Sequence, residues 1–500
     1  MFNNQTMRAI SMASLVGVLS LSATNLSGVT AAPTKPSADS KSYVTAIFKN
    51  SNKNDESQNH IAGVELDLYD NVNQFNRMES ANAYWVRSNA WAINWRQLES
   101  NGPGEYNPSD PNYGGQHMRE YEYLMRTAYD RGFKVIQIIR GAPSWASPAG
   151  KDGCAIRPEH YDNFANFVGK IVQKYSKPPY NIQYWEIWNE PDGLFDASGL
   201  FGCWGDPNDQ YFGGRAYGEM LIKAGGAVLR ADPKDDSRNY AGSRVVFGGL
   251  LLDCIKPCAS ADFLDGALIA KGVVDGKTTS ASQWFQVINF HAYDIWRDNN
   301  VVGHYDNPNF GSAWNTSGPT VAAKTDFVRS VLSTNGAGTK AIMNTEAAVL
   351  CYCGNQTSEI WNETKAIYLA QSNITAKAKG LLANVWYSYT GWQDPRGFQT
   401  ELTPGRGEKA YQAFKTNAIQ LKDAKFVREN TSYPGLRVYE FNRRGNLLLV
   451  AWKIGDGEQS MTLPATPAAI ADTFGNVVAP SQTINVTLRP VYVELAIPVN

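Results

Sequence analysis

Charge of one sign is missing from this sequence: 46 Lys and Arg stand against 47 Asp and Glu over 500 residues. With no basic field to hold a nucleic acid or an anionic membrane, a neutral partner is expected. Histidine is scarce. His60, His117, His160, His291 and His304 share no spacing and form no His-x-x-x-His pair, so no metal site is expected. Neither a phosphate-cradling glycine loop nor a Gly-x-Ser-x-Gly elbow occurs, and no cofactor is expected. Beyond the N-terminus there is no apolar run that spans a bilayer. Disorder is excluded as the general state by an ordinary apolar share of 43%. The chain is too long for one compact core, so one large domain and one small one are expected.

What is present begins with an export signal over residues 1–31. Arg8 supplies a positive start, Ala9 to Ala23 are mostly small and apolar, and Val29-Thr30-Ala31 offers a cleavage site after Ala31 or Ala32. The mature protein is therefore expected to be secreted, free of the membrane and monomeric. Residues 32–59 read as a flexible lead-in, from which Tyr43–Lys49 is a candidate extra strand. Six cysteines, Cys154, Cys203, Cys254, Cys258, Cys351 and Cys353, fit an oxidising compartment better than a zinc site. Asn-x-Ser/Thr sites stand at Asn315, Asn355, Asn362, Asn373, Asn430 and Asn485. The 14 Trp and 25 Tyr serve core packing in the ordinary case, and an indole also fits the apolar C–H face of a sugar.

Between residues 60 and 425 a short apolar run, a loop and a helical stretch alternate. Strands are expected at Gly63–Leu68, Trp85–Ser88, Lys134–Ile139, Ile182–Trp188, Arg244–Leu250, Phe285–Phe290, Lys340–Thr345 and Leu381–Ser388. Apolar residues at helical spacing mark Tyr161–Tyr175, Tyr217–Leu229 and Gly407–Leu421. Such repetition predicts an α/β fold, a (β/α)8 barrel, whose active site lies on the loops after the strand ends. Residues 253–283 and 294–325 read as long rim loops. From Phe426 to residue 500, alternating runs at Leu436–Phe441, Asn446–Trp452, Gln459–Leu463, Ile484–Leu488 and Val491–Ile497 predict a small all-β sandwich.

Two strands end in carboxylates. Tyr184-Trp185-Glu186-Ile187-Trp188-Asn189-Glu190-Pro191 runs a strand into Asn-Glu-Pro, with Glu186 read as structural. Ala341-Ile342-Met343-Asn344-Thr345-Glu346 repeats the arrangement. Alone, Glu346 fits a helix N-terminus favoured by the macrodipole; paired with Glu190, it suggests a catalytic carboxylate.

At this point the chain resembles the clan A glycoside hydrolases, and within them family 39 and its relatives, over roughly residues 60 to 425. The marks occur in strand order. Trp85-Val86-Arg87 with Trp95 comes first, then VIQIIRGAPSWA from Val135 to Ala146 and Trp188-Asn189-Glu190-Pro191. Cys203-Trp204-Gly205-Asp206-Pro207 with Tyr211, Phe290-His291-Ala292-Tyr293, Thr345-Glu346 and Trp386-Tyr387 follow. The Cys-rich segment Leu350–Gly354 departs from the pattern.

The resemblance implies a retaining glycosidase acting on an oligo- or polysaccharide, with Glu190 as acid/base and Glu346 as nucleophile. Such chemistry needs two carboxyls about 5–5.5 Å apart, one protonated and one ionised. Arg87 is expected to lower the pKa of Glu346, Tyr293 to orient it, and an apolar pocket to raise the pKa of Glu190. Asn189 would bind a sugar 2-hydroxyl, His291 the sugar or the carboxylates, and Trp386 would form the floor. Trp145 and Trp204 are candidate walls, with core packing nearly as good an account of Trp145. All six cysteines follow predicted strand ends; Cys154–Cys203 and Cys254–Cys258 are the preferred pairs, while Cys351 and Cys353 bond each other or depart from this scheme. A transglycosylase on the same site, or a non-catalytic carbohydrate-binding barrel, are the alternatives.

Overall fold

The computed structural model describes residues 60–68, 71–105, 115–148, 153–194, 202–235, 241–252, 259–296, 301–307, 314, 318–351, 358–392 and 397–498. The expected signal, the lead-in with Tyr43–Lys49, and Cys254, Cys258 and Cys353 lie outside these residues.

Strand and helix alternate eight times. The order is β1 Ala62–Glu65, α1 Asn71–Ser80, β2 Trp85–Arg87, α2 Gly115–Asp130, β3 Lys134–Arg140, α3 Tyr161–Tyr175, β4 Tyr184–Asn189 and α4 Gly214–Ala231. It continues through β5 Arg244–Gly249, α5 Phe263–Ile269, β6 Val287–Trp296, α6 Val321–Thr334, β7 Ala341–Cys351, α7 Glu359–Ala378, β8 Ala383–Trp386 and α8 Glu408–Gln420. Neighbouring strands pair in parallel from β1 through to β8. β8 returns to β1, and Val246 opposite Val287 joins β5 to β6, so the sheet closes into a (β/α)8 barrel. Closure removes both sheet edges, and burial on both faces explains the continuous apolar runs.

Side-chain alternation sorts each strand into two sets. Trp85, Ile136, Tyr184, Val246, Val287, Met343, Ala383 and Val385 pack one another inside the barrel. Gly63 makes room there, since a Cβ would lie 2.9 Å from both Trp85 Cβ and Val385 Cγ2. The outward set meets the helices. On α3, Phe164, Phe167, Val168, Ile171, Val172 and Tyr175 form the buried stripe that the spacing predicted. Full burial of each such large side chain stabilises by about 1.5–3 kcal/mol.

The C-terminal strands are β9 Ala424–Glu429, β10 Leu436–Arg443, β11 Asn446–Lys453, β12 Gln459–Thr462, β13 Ala469–Ala471, β14 Val477–Val478, β15 Thr483–Val486 and β16 Val491–Pro498. They form a six-stranded sheet, β9-β10-β11-β16-β13-β14, and a two-stranded one, β12-β15. Met461, Ile484 and Val486 of the small sheet pack on Val438, Leu449 and Val493 of the large one. Tyr439, Phe441 and Trp452 join the core cluster of the barrel instead.

Several local readings change. Residues 253–283 are not all loop: they include α5 and a hairpin of Lys271–Val274 with Lys277–Ser280. β9, β13 and β14 were not expected: the burial pattern of β9 does not alternate cleanly, and β13 and β14 are only three and two residues long. Asn373 is buried in α7, where its Oδ1 accepts from Asn384, so it is not an accessible glycosylation site. Among the described residues no helix is long and apolar enough to cross a membrane.

Candidate active site

The inward positions at the C-terminal ends of the strands carry polar groups in place of the apolar plug below. Glu65 of β1, Arg87 of β2 and Glu186 of β4 form the first layer, all buried. Arg87 grips Glu186 with two bonds, Nε to Oε2 at 2.9 Å and Nη2 to Oε1 at 2.7 Å. Its Nη1 reaches Glu346 Oε1 at 2.5 Å and Glu65 Oε2 at 3.2 Å, and its Nη2 also reaches Asn189 Oδ1 at 2.5 Å. Glu186, read as structural, is thus the bidentate anchor that fixes the guanidinium.

Local backbone departures aim the next layer. Trp188 has φ 80° and Glu190 φ 50°, both left-handed and costly for non-glycine residues. The turn at Trp188 breaks the alternation. Its ring goes out to Phe164 and Trp204, and Asn189 faces inward to Arg87. On β7 the ladder to β6 shifts between Asn344 and Glu346, a bulge. Thr345 therefore bonds inward-facing Asn289, and Glu346 also faces the mouth, opposite His291.

His291 Nδ1 lies 2.9 Å from Glu190 Oε1 and 3.5 Å from Glu346 Oε2. Tyr293 donates a hydrogen bond to Glu346 Oε2. Carboxylate oxygens of Glu190 and Glu346 fall within 4.8 Å of each other, with His291 between them. These three side chains have the reach of a metal site, but Arg87 and Tyr293 already occupy both oxygens of Glu346.

Burial dominates the electrostatics. It pushes the pKa of His291 well below its ordinary value, with Arg87 and Lys324 acting in the same sense, so the imidazole is neutral. Glu346 corrects an expectation: burial raises its pKa more than Arg87 lowers it. Glu65 is raised well above the usual carboxylate range, first by burial and further by Glu346. Three carboxyls share one guanidinium.

The loops after β3 and β4 are tied by the Cys154–Cys203 disulfide, the pair preferred from sequence. Cys351 is disulfide-bonded as well, to a partner outside the described residues. The segment beside Cys203 lies directly against the Glu190 backbone: a Cβ on Gly202 would fall 1.7 Å from the Glu190 carbonyl oxygen. Asp192 then accepts the amides of Leu251 and Leu252, at 2.8 and 2.9 Å, and couples the β4 and β5 ends.

The aromatic candidates divide. Trp386 faces outward with its strand neighbour Asn384, which bonds Ser372 and Asn373 of α7. Its ring lies 6.3 Å from Tyr368 of α7 and its Nε1 donates to Thr400 O. The inward position is Tyr387, beside Tyr293 and Trp392 with ring centroids 6.3 and 5.6 Å away. Trp204 is buried edge-on to Trp188 and Tyr217 in the helix layer. Trp145 is partly exposed, edge-on to Trp95 and His160, and donates to Glu99 O. Tyr387 was legible from the alternation of Ala383 and Val385; Trp392, in a loop, had no such signal.

Gly249 ends β5 directly against His291, and a Cβ there would lie 2.1 Å from Nε2. Gly249→Ala is expected to destabilise the fold by about 1–3 kcal/mol in a urea melt, because a buried ring and its partners must shift. Unchanged stability would mean that His291 is not seated against β5.

No protein-family model matches the chain, and no curated protein matches it in sequence. Solved structures do match its fold. A family 39 glycoside hydrolase from the gut symbiont Bacteroides cellulosilyticus WH2 is similar at 16% identity and a TM-score of 0.61, over 88% of this chain and 82% of that one. A GH30 endoxylanase from Clostridium papyrosolvens C71 shares 12% identity at a TM-score of 0.54, over 87% and 96%. BuGH86, crystallised in complex with neoagarooctaose, shares 12% identity at 0.56, over 89% and 76%. The (β/α)8 barrel of this chain is thus the fold on which these glycoside hydrolases are built.

Proposed function

We propose that the protein is a secreted retaining glycoside hydrolase that cleaves an oligo- or polysaccharide by double displacement. One observation carries the reading: the carboxylate oxygens of Glu190 and Glu346 approach within 4.8 Å. Retaining enzymes hold their carboxyls about 5–5.5 Å apart, whereas inverting ones need about 6.5–9.5 Å to admit a water. A sugar-binding relic has no use for two carboxyls so placed. The disulfides support export.

In the first step Glu346 attacks the anomeric carbon. The bond to the leaving oxygen breaks, Glu190 gives that oxygen its proton, and a glycosyl ester forms on Glu346. In the second step Glu190 takes a proton from water, the water attacks the same carbon, and Glu346 leaves as a carboxylate. Arg87 holds Glu346 in position before attack and is ready to receive its charge again afterwards. Neutral His291 fixes the Glu190 carboxyl without competing for its charge. Asn189 spends its Oδ1 on Arg87, which leaves its amide N–H groups to donate to a sugar hydroxyl. Tyr387 and Trp392 supply the aromatic surface that Trp386 does not.

Retention of configuration is the direct test. Proton NMR of the first-formed product is expected to show the anomer of the substrate before mutarotation. An inverted product would reject the double displacement. A sugar acceptor that outcompetes water for the ester would make the protein a transglycosylase on the same residues.

A further inference from the structure

Arg140 closes β3 at the mouth. Ile136 faces the barrel interior, and a period of two brings Arg140 to the same face. Its guanidinium lies within electrostatic reach of Glu65, Glu346, Arg87 and Arg96. Arg87 has three carboxylates; the Arg140 side chain has no hydrogen bond or ion pair among the described residues. Burial and Arg87 together disfavour its charge by more than the carboxylates restore. A guanidinium does not shed its proton, so the cost remains as a partly buried charge with no partner among the described residues.

Arg96 stands on the same rim. Its backbone N–H donates to Gly141 O at 2.9 Å, and a Cβ on Gly141 would lie 3.8 Å from its Cγ and Cδ. Its side chain is exposed and also lacks a carboxylate among the described residues. Two cations without a carboxylate partner among the described residues thus stand on one rim, in a chain whose overall charge is nearly zero. Sugar hydroxyls would satisfy their N–H groups but would not offset their charge; a carboxylate or sulfate does both, and a planar oxyanion fits the guanidinium fork.

We propose that Arg140, flanked by Arg96, forms a subsite for the anionic substituent of an acidic glycan, a carboxylate or a sulfate carried on the ring in the mouth or on its neighbour. This rests on the glycosidase reading of the site and names its substrate class.

The probes are matched oligosaccharide pairs: uronate-containing glycans and the same glycans with the carboxyls reduced to alcohols, and sulfated glycans with their desulfated forms. Binding is measured by calorimetry on the full chain carrying Glu190→Gln, which slows turnover. The acidic member of one pair is expected to bind about 10–100-fold more tightly than its neutral partner. Adding Arg140→Gln should erase that difference, Arg140→Lys should restore part of it, and salt should shrink it. The pair that responds identifies the anion. Equal binding within both pairs, no binding of any acidic member, or a preference that survives Arg140→Gln would overturn the subsite. Wild-type turnover tests the parent reading separately: cleavage without acidic preference sinks the subsite alone, and preferential binding without cleavage of any bound glycan sinks the glycosidase alone.

Discussion

Replacing Glu346 with alanine is expected to cut turnover by roughly 10⁴-fold or more, the scale on which other enzymes lose rate when their nucleophile is removed. The thermal midpoint is expected to hold. Glu346 is fully buried beside Arg87, and breaking a buried ion pair is normally destabilising because the other charge is left alone. Arg87 is not left alone: Glu186 keeps both of its bonds, and Glu65 remains 3.2 Å away. Removing one of three carboxyls from a single guanidinium also relieves the repulsion that helps to raise the pKa of Glu65. Against this gain stands the lost acceptor of Tyr293, a cost of about 1–3 kcal/mol. The two effects oppose each other, so activity and stability should separate. Kinetics on any accepted glycan and a thermal melt of the same preparation measure both. Turnover near wild type would remove Glu346 from the chemistry; matching losses of activity and folded protein would assign it to the scaffold.

The eight barrel strands were legible to within a few residues at most ends, with β6 and β7 running further than expected, because burial on both faces leaves continuous apolar and β-branched runs. Glu190 and Glu346 were legible for a related reason, as carboxylates that interrupt such runs at their ends. What the sequence hid was the local backbone geometry. The bulge before Glu346 and the left-handed turn at Trp188 each alter which side chains face inward, and no residue type announces either. Trp386 shows the same limit from the other side. Large, aromatic and at a strand end, it drew attention away from Tyr387, yet regular alternation turns it toward α7. Trp204 sits in a loop that carries no alternation, and its burial follows from the fold-back of that loop onto Trp188. The electrostatics of Glu346 were misjudged because the sequence shows Arg87 but not the depth at which the pair is buried.

Glu190→Ala should behave differently from Glu346→Ala, and the difference assigns the two roles. Glu190 supplies a proton to the leaving oxygen, so its loss should be felt most with poor leaving groups. An aryl glycoside with an acidic phenol needs little protonation and should still form the glycosyl ester at a substantial rate. Hydrolysis of that ester should then stall, since no base remains to take the proton from water. His291, 2.9 Å from Glu190 Oε1, is placed to substitute, but its burial between Arg87 and Lys324 works against its accepting a proton. Azide needs no base. Added to the Glu190→Ala protein, it should restore turnover and yield a glycosyl azide with the configuration of the substrate, because it enters after the ester has formed. With Glu346→Ala no ester forms, and azide should at best replace the nucleophile and give the opposite anomer. NMR of the azide products reads both outcomes. An inverted azide from the Glu190 variant and a retained one from the Glu346 variant would exchange the two assignments. Absence of rescue in both would mean that the carboxyls meeting at His291 are not the reacting pair.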